Sequence, residues 1–432
     1  MKNFVLIIGF GKSGKWAYNL ALKLGYMPLI FDDAFMSLEN CWLDFDVLDF
    51  AVVSPGVPPQ HKLFQLLREK GIKVISEIEF CYLAREDKTP IIGVTGTNGK
   101  TTVVEMISAV LKENAIVAGN IGKTWSEAIT KNEKAKYTVL ELSSFQLDNV
   151  NLFSPSIAVI TNFAPDHIDY HGSYQNYIDA KMNVLKNMGQ GDCVVYKGED
   201  EEVREQVRSV YKPRTLYFSE EKLNGEGIYI DENKNIVLCL GGKERLLFSL
   251  PVDRHFEKHI KLNILASALV CVLLGVDAKQ IELSLINFKP SVFRQEKIEN
   301  SLGIKIINDS KATNLSAVLM ALFEHKPDVL LVGGRGKVED YSKLFIKPSF
   351  HHLVVYGEMG KEISDCAKSV AFHNFVYCEK FDEAVEMAVK LANVGETLLF
   401  SPAGSSFDQF SSYKERGARF NFLIKSMETK NS

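Results

Sequence analysis

Short apolar, β-branched runs alternate with longer amphipathic stretches from one end of the chain to the other. Phe4–Ile8, Ala51–Val53, Ile91–Val94, Thr138–Leu140, Ile157–Ile160, Val329–Val332, Leu353–Tyr356 and Leu398–Ser401 are runs of this kind. Runs this short and this apolar suit strands buried on both faces, and the amphipathic stretches suit the helices that cover such sheets. The pattern predicts an α/β chain. Two polar stretches with proline, Arg85 to Pro90 and Phe288 to Ser291, break the rhythm and mark domain boundaries. The division expected is 1–88, 89–290 and 291–432. Between 219 and 250, Gly225, Gly227, Gly241 and Gly242 punctuate what read as short antiparallel strands appended to the central sheet.

Composition narrows the function classes. A chain of 432 residues has room for about two to four domains, each with its own core. The formal charge is −4 and the two signs are mixed, so no block is built to hold a nucleic-acid backbone or an anionic membrane, and small-molecule partners are expected. Seven scattered cysteines form no Cys-x-x-Cys pair and read as buried or free thiols of a reducing compartment. The apolar run at the N-terminus is too short for a signal peptide, and no stretch approaches the roughly 20 apolar residues that span a bilayer. A cytoplasmic enzyme is the expectation.

The first candidate site is Gly9-Phe10-Gly11-Lys12-Ser13-Gly14, between the strand Phe4–Ile8 and a helix expected over Lys15–Leu24. Asp32 ends the next strand, Leu29–Phe31. Glycines here let backbone approach a diphosphate, the helix N-terminus favours its charge, and the carboxylate accepts from hydroxyls or an N–H. Alone, this pattern fits a nicotinamide dehydrogenase, another diphosphate–sugar ligand, or merely a tight strand-to-helix turn. Ser54-Pro55-Gly56 would follow its strand onto the same rim, as a ligand contact or a proline-stiffened turn.

The second is Gly93-Val94-Thr95-Gly96-Thr97-Asn98-Gly99-Lys100-Thr101-Thr102, placed between the strand Ile91–Val94 and a helix expected over Val103–Lys112. This is the arrangement of a phosphate-binding loop, although the usual first glycine is replaced by Val94. Backbone N–H groups and Lys100 would cradle the phosphates of ATP or GTP, and the Thr101 hydroxyl would reach magnesium. A kinase needs one such loop and a dehydrogenase the other. An enzyme that uses a triphosphate to activate an acid already attached to a nucleotide needs both, which points to a ligase.

Glu141, and the pair Asp166-His167, each follow an expected buried strand and would emerge on the rim that carries the phosphate loop. Such donors suit magnesium, though acids after strands also cap helices and a lone histidine is often only a hydrogen-bond partner. Lys181 lies on an expected helix, where a surface lysine is the default.

Taken together, Gly-Thr-Asn-Gly-Lys-Thr-Thr (96–102), Gly-Asn-Ile-Gly (119–122), Leu-Glu-Leu-Ser-Ser-Phe-Gln-Leu (140–147), Asp-His-Ile-Asp (166–169), Ile-Asn-Asp-Ser-Lys-Ala-Thr-Asn (307–314) and Ser-Pro-Ala-Gly-Ser-Ser-Phe-Asp (401–408) resemble the Mur ligases over nearly the whole chain. The segment 308–314 is similar to the glutamate-adding branch. The resemblance implies a Rossmann-like N-terminal domain that binds a UDP substrate, a central P-loop ATPase-type α/β domain, and a Rossmann-like C-terminal domain that receives an amino acid. It implies that Lys12, Ser13, Asp32 and Ser54 contact the UDP part, with Asn120 near the muramoyl group. ATP would be held by Gly96, Asn98, Gly99, Lys100, Thr101 and Thr102, together with Asn263, Arg294 and Asp309. Thr101, Glu141 and His167 would hold two magnesium ions, with Lys181 added as a carbamate. Lys311, Thr313, Lys337, Ser406 and Tyr413 match the glutamate-receiving region. Lys311 and Lys337 also read as solvated lysines, Ser406 as a helix cap and Tyr413 as a core ring. Phe293 and Ile260 depart from the family pattern, which often has histidine and asparagine there.

The implied reaction joins D-glutamate to UDP-N-acetylmuramoyl-L-alanine through an acyl phosphate, in a monomer with a hinge near Pro290. Other Mur ligases and a folate polyglutamate ligase are the rival enzymes. A folate ligase has no need of the Gly9–Gly14 domain, and a nucleotide switch none of an amino-acid site.

Overall fold

The computed structural model describes residues 3–34, 38, 44–210, 212–254, 256–289, 292–336 and 340–431. The chain forms two compact units, Met1–Phe163 with Tyr170–Lys289, and Ala164–Asp169 with Pro290–Ser432. Pro290, the expected hinge, lies outside the described residues.

The first unit carries two sheets. Strands β1 (Phe4–Ile8), β2 (Met27–Phe31), β3 (Leu48–Val53) and β4 (Lys73–Ser76) lie in the order β2-β1-β3-β4 and are parallel throughout. Because β1 has β2 on one side and β3 on the other, the chain leaves the sheet in opposite directions there. That opens a crevice beyond the carboxyl ends of β1 and β3.

The second sheet contains β5 (Ile91–Thr95), β6 (Ala115–Gly119), β7 (Tyr137–Glu141), β8 (Ile157–Ile160), β9 (Cys193–Lys197), β10 (Arg214–Phe218), β11 (Gly227–Ile230), β12 (Asn235–Leu240) and β13 (Lys243–Ser249). Their order is β13-β12-β11-β10-β9-β8-β5-β7-β6, so the phosphate-loop strand β5 lies inside the sheet, third from the β6 edge, with β8 and β7 on either side. Strands β5 to β11 are parallel among themselves, and β12 and β13 extend the edge antiparallel; of the stretch 219–250 expected to be antiparallel, β11 instead pairs parallel with β10. Gly241 and Gly242, with φ of 59° and 72°, form the two-residue turn of that hairpin, where both positions need a left-handed backbone. Helices Lys100–Leu111 and Lys258–Leu273 pack together in the core of this sheet, burying Val103, Ile107, Leu265 and Leu269 completely.

Both glycine-loop helices begin three residues before the apolar periodicity does. They run Lys12–Lys23 and Lys100–Leu111, with Gly11 and Gly99 as their N-caps. Lys12, Ser13, Lys100, Thr101 and Thr102 therefore stand in first turns, where backbone N–H groups have no helical acceptor.

The second unit has one sheet: β14 (Glu296–Ile298), β15 (Lys305–Asn308), β16 (Val329–Gly333), β17 (His352–Tyr356), β18 (Phe375–Cys378) and β19 (Thr397–Ala403), in the order β14-β15-β19-β16-β17-β18. Only β14 runs antiparallel to its neighbour. Among the described residues no helix is long and apolar enough to cross a membrane, and the six described cysteines are unpaired.

Candidate active site

The crevice at the ends of β1 and β3 is a cleft of about 520 Å³, and its lining includes Lys12, Ser13, Asp32, Ser54 and Asn120. Gly14 lets the first helix approach β1: a Cβ there would stand 1.9 Å from the Gly9 carbonyl oxygen. The loop is tied by its own polar groups. Asp32 Oδ2 accepts from Phe10 N at 2.5 Å, Asp32 Oδ1 from Ala34 N at 2.9 Å, and the Ser54 hydroxyl donates to Gly9 O at 2.7 Å. Lys12 reaches the Gly122 carbonyl in the loop after β6. His61, which the sequence patterns did not single out, also lines the cleft, with Nε2 3.1 Å from Asp33 Oδ1. An isolated histidine after Pro58-Pro59 carries no periodic or motif signal, so only the fold finds it.

The phosphate loop leaves β5 at Thr95. Gly96 and Gly99 take φ of 134° and 85°, conformations that a side chain would strain. Space forbids one as well: a Cβ on Gly96 would lie 2.0 Å from Thr161 Oγ1, and one on Gly99 2.9 Å from Asn263 Oδ1. Asn263, buried on the helix Lys258–Leu273, thus stands against the loop. Asn98 is held on both sides by Asn162, whose Oδ1 accepts from Asn98 N at 3.0 Å and whose Nδ2 donates to Asn98 O at 3.0 Å. The Lys100 ammonium folds back over its own loop, donating to Gly96 O and Thr97 O at 2.8 Å each. Thr101 and Thr102 are buried, and the Thr102 hydroxyl has no partner among the described residues.

Lys181 is not a surface residue. It is 2% exposed, donates to Gly96 O at 2.8 Å, and lies 4.5 Å from the centre of the Tyr177 ring. Tyr177 in turn bonds Thr97 through its hydroxyl at 2.9 Å. Sequence reading missed this tyrosine, although its four-residue spacing from Lys181 puts both on one helix face. Glu141, at the end of β7, is 3% exposed; Oε1 accepts from Asn120 Nδ2 at 2.9 Å, while Oε2 is buried with no partner among the described residues. A buried carboxylate oxygen left unbonded beside a phosphate loop suits a divalent cation.

The remaining expected residues belong to the second unit. Asp166 accepts from Asn314 Nδ2 at 3.1 Å, and His167, at φ 54°, has Nε2 3.6 Å from Asp166 Oδ1. Asp309 is buried after β15, accepting from Gln295 N at 3.2 Å and from the Ser401 hydroxyl at 3.1 Å. Arg294 lies between Phe293 and Gln295, both with positive φ, and its Nε is buried without a partner. The Phe293 side chain occupies the space that Gly417 leaves, where a Cβ would be 2.4 Å from its ring. Lys311 Nζ lies 5.6 Å from the Tyr413 ring centre, Thr313 is half-buried, and Ser406 is buried. Lys337 lies outside the described residues. Arg416, also unanticipated, is fully buried and donates to Ser310 O at 2.8 Å and Gly404 O at 3.1 Å, binding the loops after β15 and β19 together.

Residues 94–271 match the Mur ligase middle domain. The UDP-N-acetylmuramoylalanine--D-glutamate ligase of Christiangramia forsetii is 33% identical, covering 98% of this chain and 99% of its own. The chain belongs to the Mur ligase family. A relative of the same name from Chlorobium phaeobacteroides is 36% identical over 88% of this chain and 85% of its own. A Mur ligase from Thermotoga maritima, MurF, solved in complex with ADP, shares the fold with a TM-score of 0.63 at 16% identity, covering 100% of this chain and 99% of that one. The Mur ligase middle-domain match takes in the phosphate loop, Glu141, Lys181 and Asn263. Likeness beyond it, in the first glycine cluster and the C-terminal unit, rests on the full-length relatives.

Proposed function

We propose that this Mur ligase joins D-glutamate to UDP-N-acetylmuramoyl-L-alanine with ATP, making a peptidoglycan precursor. The observation that carries the reading is the Asn120–Glu141 hydrogen bond, because it connects a cleft of the diphosphate-binding type to the carboxylate beside a phosphate loop. The names of relatives 31–36% identical supply the substrates.

In this reading residues 1–88 hold the UDP part through Lys12, Ser13, Asp32 and Ser54, residues 89–290 hold ATP, and residues 291–432 receive glutamate through Lys311, Thr313, Lys337, Ser406 and Tyr413. Asn263, Arg294 and Asp309 complete the ATP contacts. A carboxylate is a poor acyl donor because oxide is a poor leaving group. An oxygen of the alanyl carboxylate attacks the γ-phosphorus of ATP, ADP departs, and the acyl phosphate forms. The glutamate amine then adds to the carbonyl, phosphate leaves, and the amine loses a proton. Lys100 and the first-turn amides of its helix meet the charge on the transferring group, and the protein's main task is alignment. Magnesium, when bound, neutralises phosphate charge. The orphaned Glu141 oxygen fits it; Thr101, His167 and a carbamylated Lys181 would be the further ligands of two ions, as the family resemblance implies. The six described cysteines, all unpaired, suit the reducing cytoplasm, and the reading takes the chain as a monomer.

The test is phosphate release from the full chain with ATP, magnesium and UDP-N-acetylmuramoyl-L-alanine, one amino acid at a time. D-glutamate is expected to drive turnover; turnover driven instead by lysine or diaminopimelate overturns the assignment.

A further inference from the structure

Asn120 is bound to Glu141 twice. Its backbone N–H donates to the Glu141 carbonyl at 2.9 Å and its side-chain amide donates to Glu141 Oε1 at 2.9 Å. The close approach is made possible by Gly119, which has φ of 104° and where a Cβ would stand 2.3 Å from the Glu141 oxygen. Gly119 N is held in turn by Lys123 O at 3.0 Å. Strands β6 and β7 pair in register here, Gly119 opposite Glu141, so the next residue is delivered to the carboxylate by the sheet itself.

A glutamate carboxyl is torsionally soft, since its last dihedral has a broad, two-fold profile. A donor fixed on one oxygen sets the plane of the group and aims the other oxygen. Oε1 takes the amide, and Oε2 is the buried atom left without a partner. Asn120 itself is exposed on the wall of the cleft.

We propose that Asn120 is a positioning residue that orients Glu141 for a divalent cation, independently of any contact it makes with the substrate in the cleft. The inference rests on the proposed function, since it presumes a metal–nucleotide complex at the phosphate loop. Outer partners of this kind typically change metal affinity by about 10–100-fold. A residue that only touched the substrate would leave metal affinity unchanged while the cleft is empty.

The experiment measures binding of manganese with ADP to the full chain by electron paramagnetic resonance, with no UDP substrate present. Asn120→Ala is expected to weaken manganese binding by about tenfold or more, while ADP affinity in EDTA stays at the wild-type value. Combined with Glu141→Gln, the Asn120 change is expected to add no further loss, because the group it orients is no longer a ligand. Asn120→Ser, which keeps a short donor, serves if the alanine variant does not fold and is expected to lose less. Wild-type manganese affinity in Asn120→Ala or Asn120→Ser overturns the inference and leaves the proposed function standing. Failure of the wild-type chain to bind manganese with ADP overturns both.

Discussion

Lys100 and Lys181 donate to the same acceptor, the carbonyl oxygen of Gly96, each at 2.8 Å. One lysine comes from the phosphate loop's own helix and the other from the helix Tyr174–Met182, so the loop's first glycine peptide is the point where two elements meet.

The two lysines are expected to fail differently. Lys100 is half-buried in the first helical turn, and Lys100→Met should weaken nucleotide binding together with turnover. Lys181 is buried, and Lys181→Met keeps its bulk, so ADP should bind within a few-fold of wild type. Phosphate release should nevertheless fall by about 100-fold or more, the scale seen when one electrostatic group is removed from an active site. Calorimetry with ADP and a phosphate-release assay separate the two. Equal losses of nucleotide affinity in both variants would contradict the division.

Two glycines of the first cluster should respond unequally to the same change. A Cβ on Gly14 would stand 1.9 Å from the Gly9 carbonyl oxygen, a backbone atom that cannot swing aside, whereas Gly11 has nothing within 4 Å. Gly14→Ala is expected to destabilise the first unit by about 3 kcal/mol or more through overpacking, and Gly11→Ala to change stability by less than about 1 kcal/mol. Urea denaturation of both variants decides it.

These glycines show how much was legible in the sequence. Apolar runs predicted β1 and β8 to the residue, because short strands buried on both faces leave an unbroken apolar signature. Apolar periodicity starts the two glycine-loop helices late, at Lys15 and Val103, because Lys12-Ser13 and Lys100-Thr101-Thr102 are polar first-turn residues that carry no apolar signal. Loop chemistry named Asp32 and Ser54, and the family resemblance Lys12 and Asn120; the fold assembles all four on one cleft. Tyr177 and Arg416 escaped because their contacts reach across 80 or more residues, and His61 because its partner Asp33 is 28 residues away on another loop; no local spacing encodes either.

Glu79 anchors the helix Glu77–Ala84 to a distant loop. It is fully buried, and its carboxylate accepts from the backbone N–H groups of Asn151, Leu152 and Phe153 at 2.9, 2.8 and 2.9 Å. Hydrogen bonds to a charged acceptor contribute about 1.5–3 kcal/mol each, and orphaning buried donors costs a comparable amount. Glu79→Ala is therefore expected to lower stability by about 3–5 kcal/mol, with faster amide hydrogen exchange at 151–153 as its local signature. Unchanged exchange there would show that the carboxylate does not hold the loop.

Two residues away, Glu77 predicts a pH dependence. Burial pushes its carboxyl above the ordinary value of 4.5, outweighing the hydrogen bonds that favour the anion, among them the one from Ser126 N at 2.7 Å. Glu77 Oε2 is buried with no partner, which suits a neutral acid better than an anion. The folded chain then holds this proton more tightly than the unfolded chain does. Its contribution to stability is fully present below the ordinary carboxylate range, and it is lost as pH rises through the raised folded value. Glu77→Gln keeps an acceptor for Ser126 N and cannot ionise. Measured by thermal melting at about pH 5 and about pH 8, the variant should gain on wild type as pH rises, because only wild type acquires the buried charge. A wild-type-minus-variant difference that stays constant between the two pH values would show that Glu77 is ionised in both the folded and the unfolded chain.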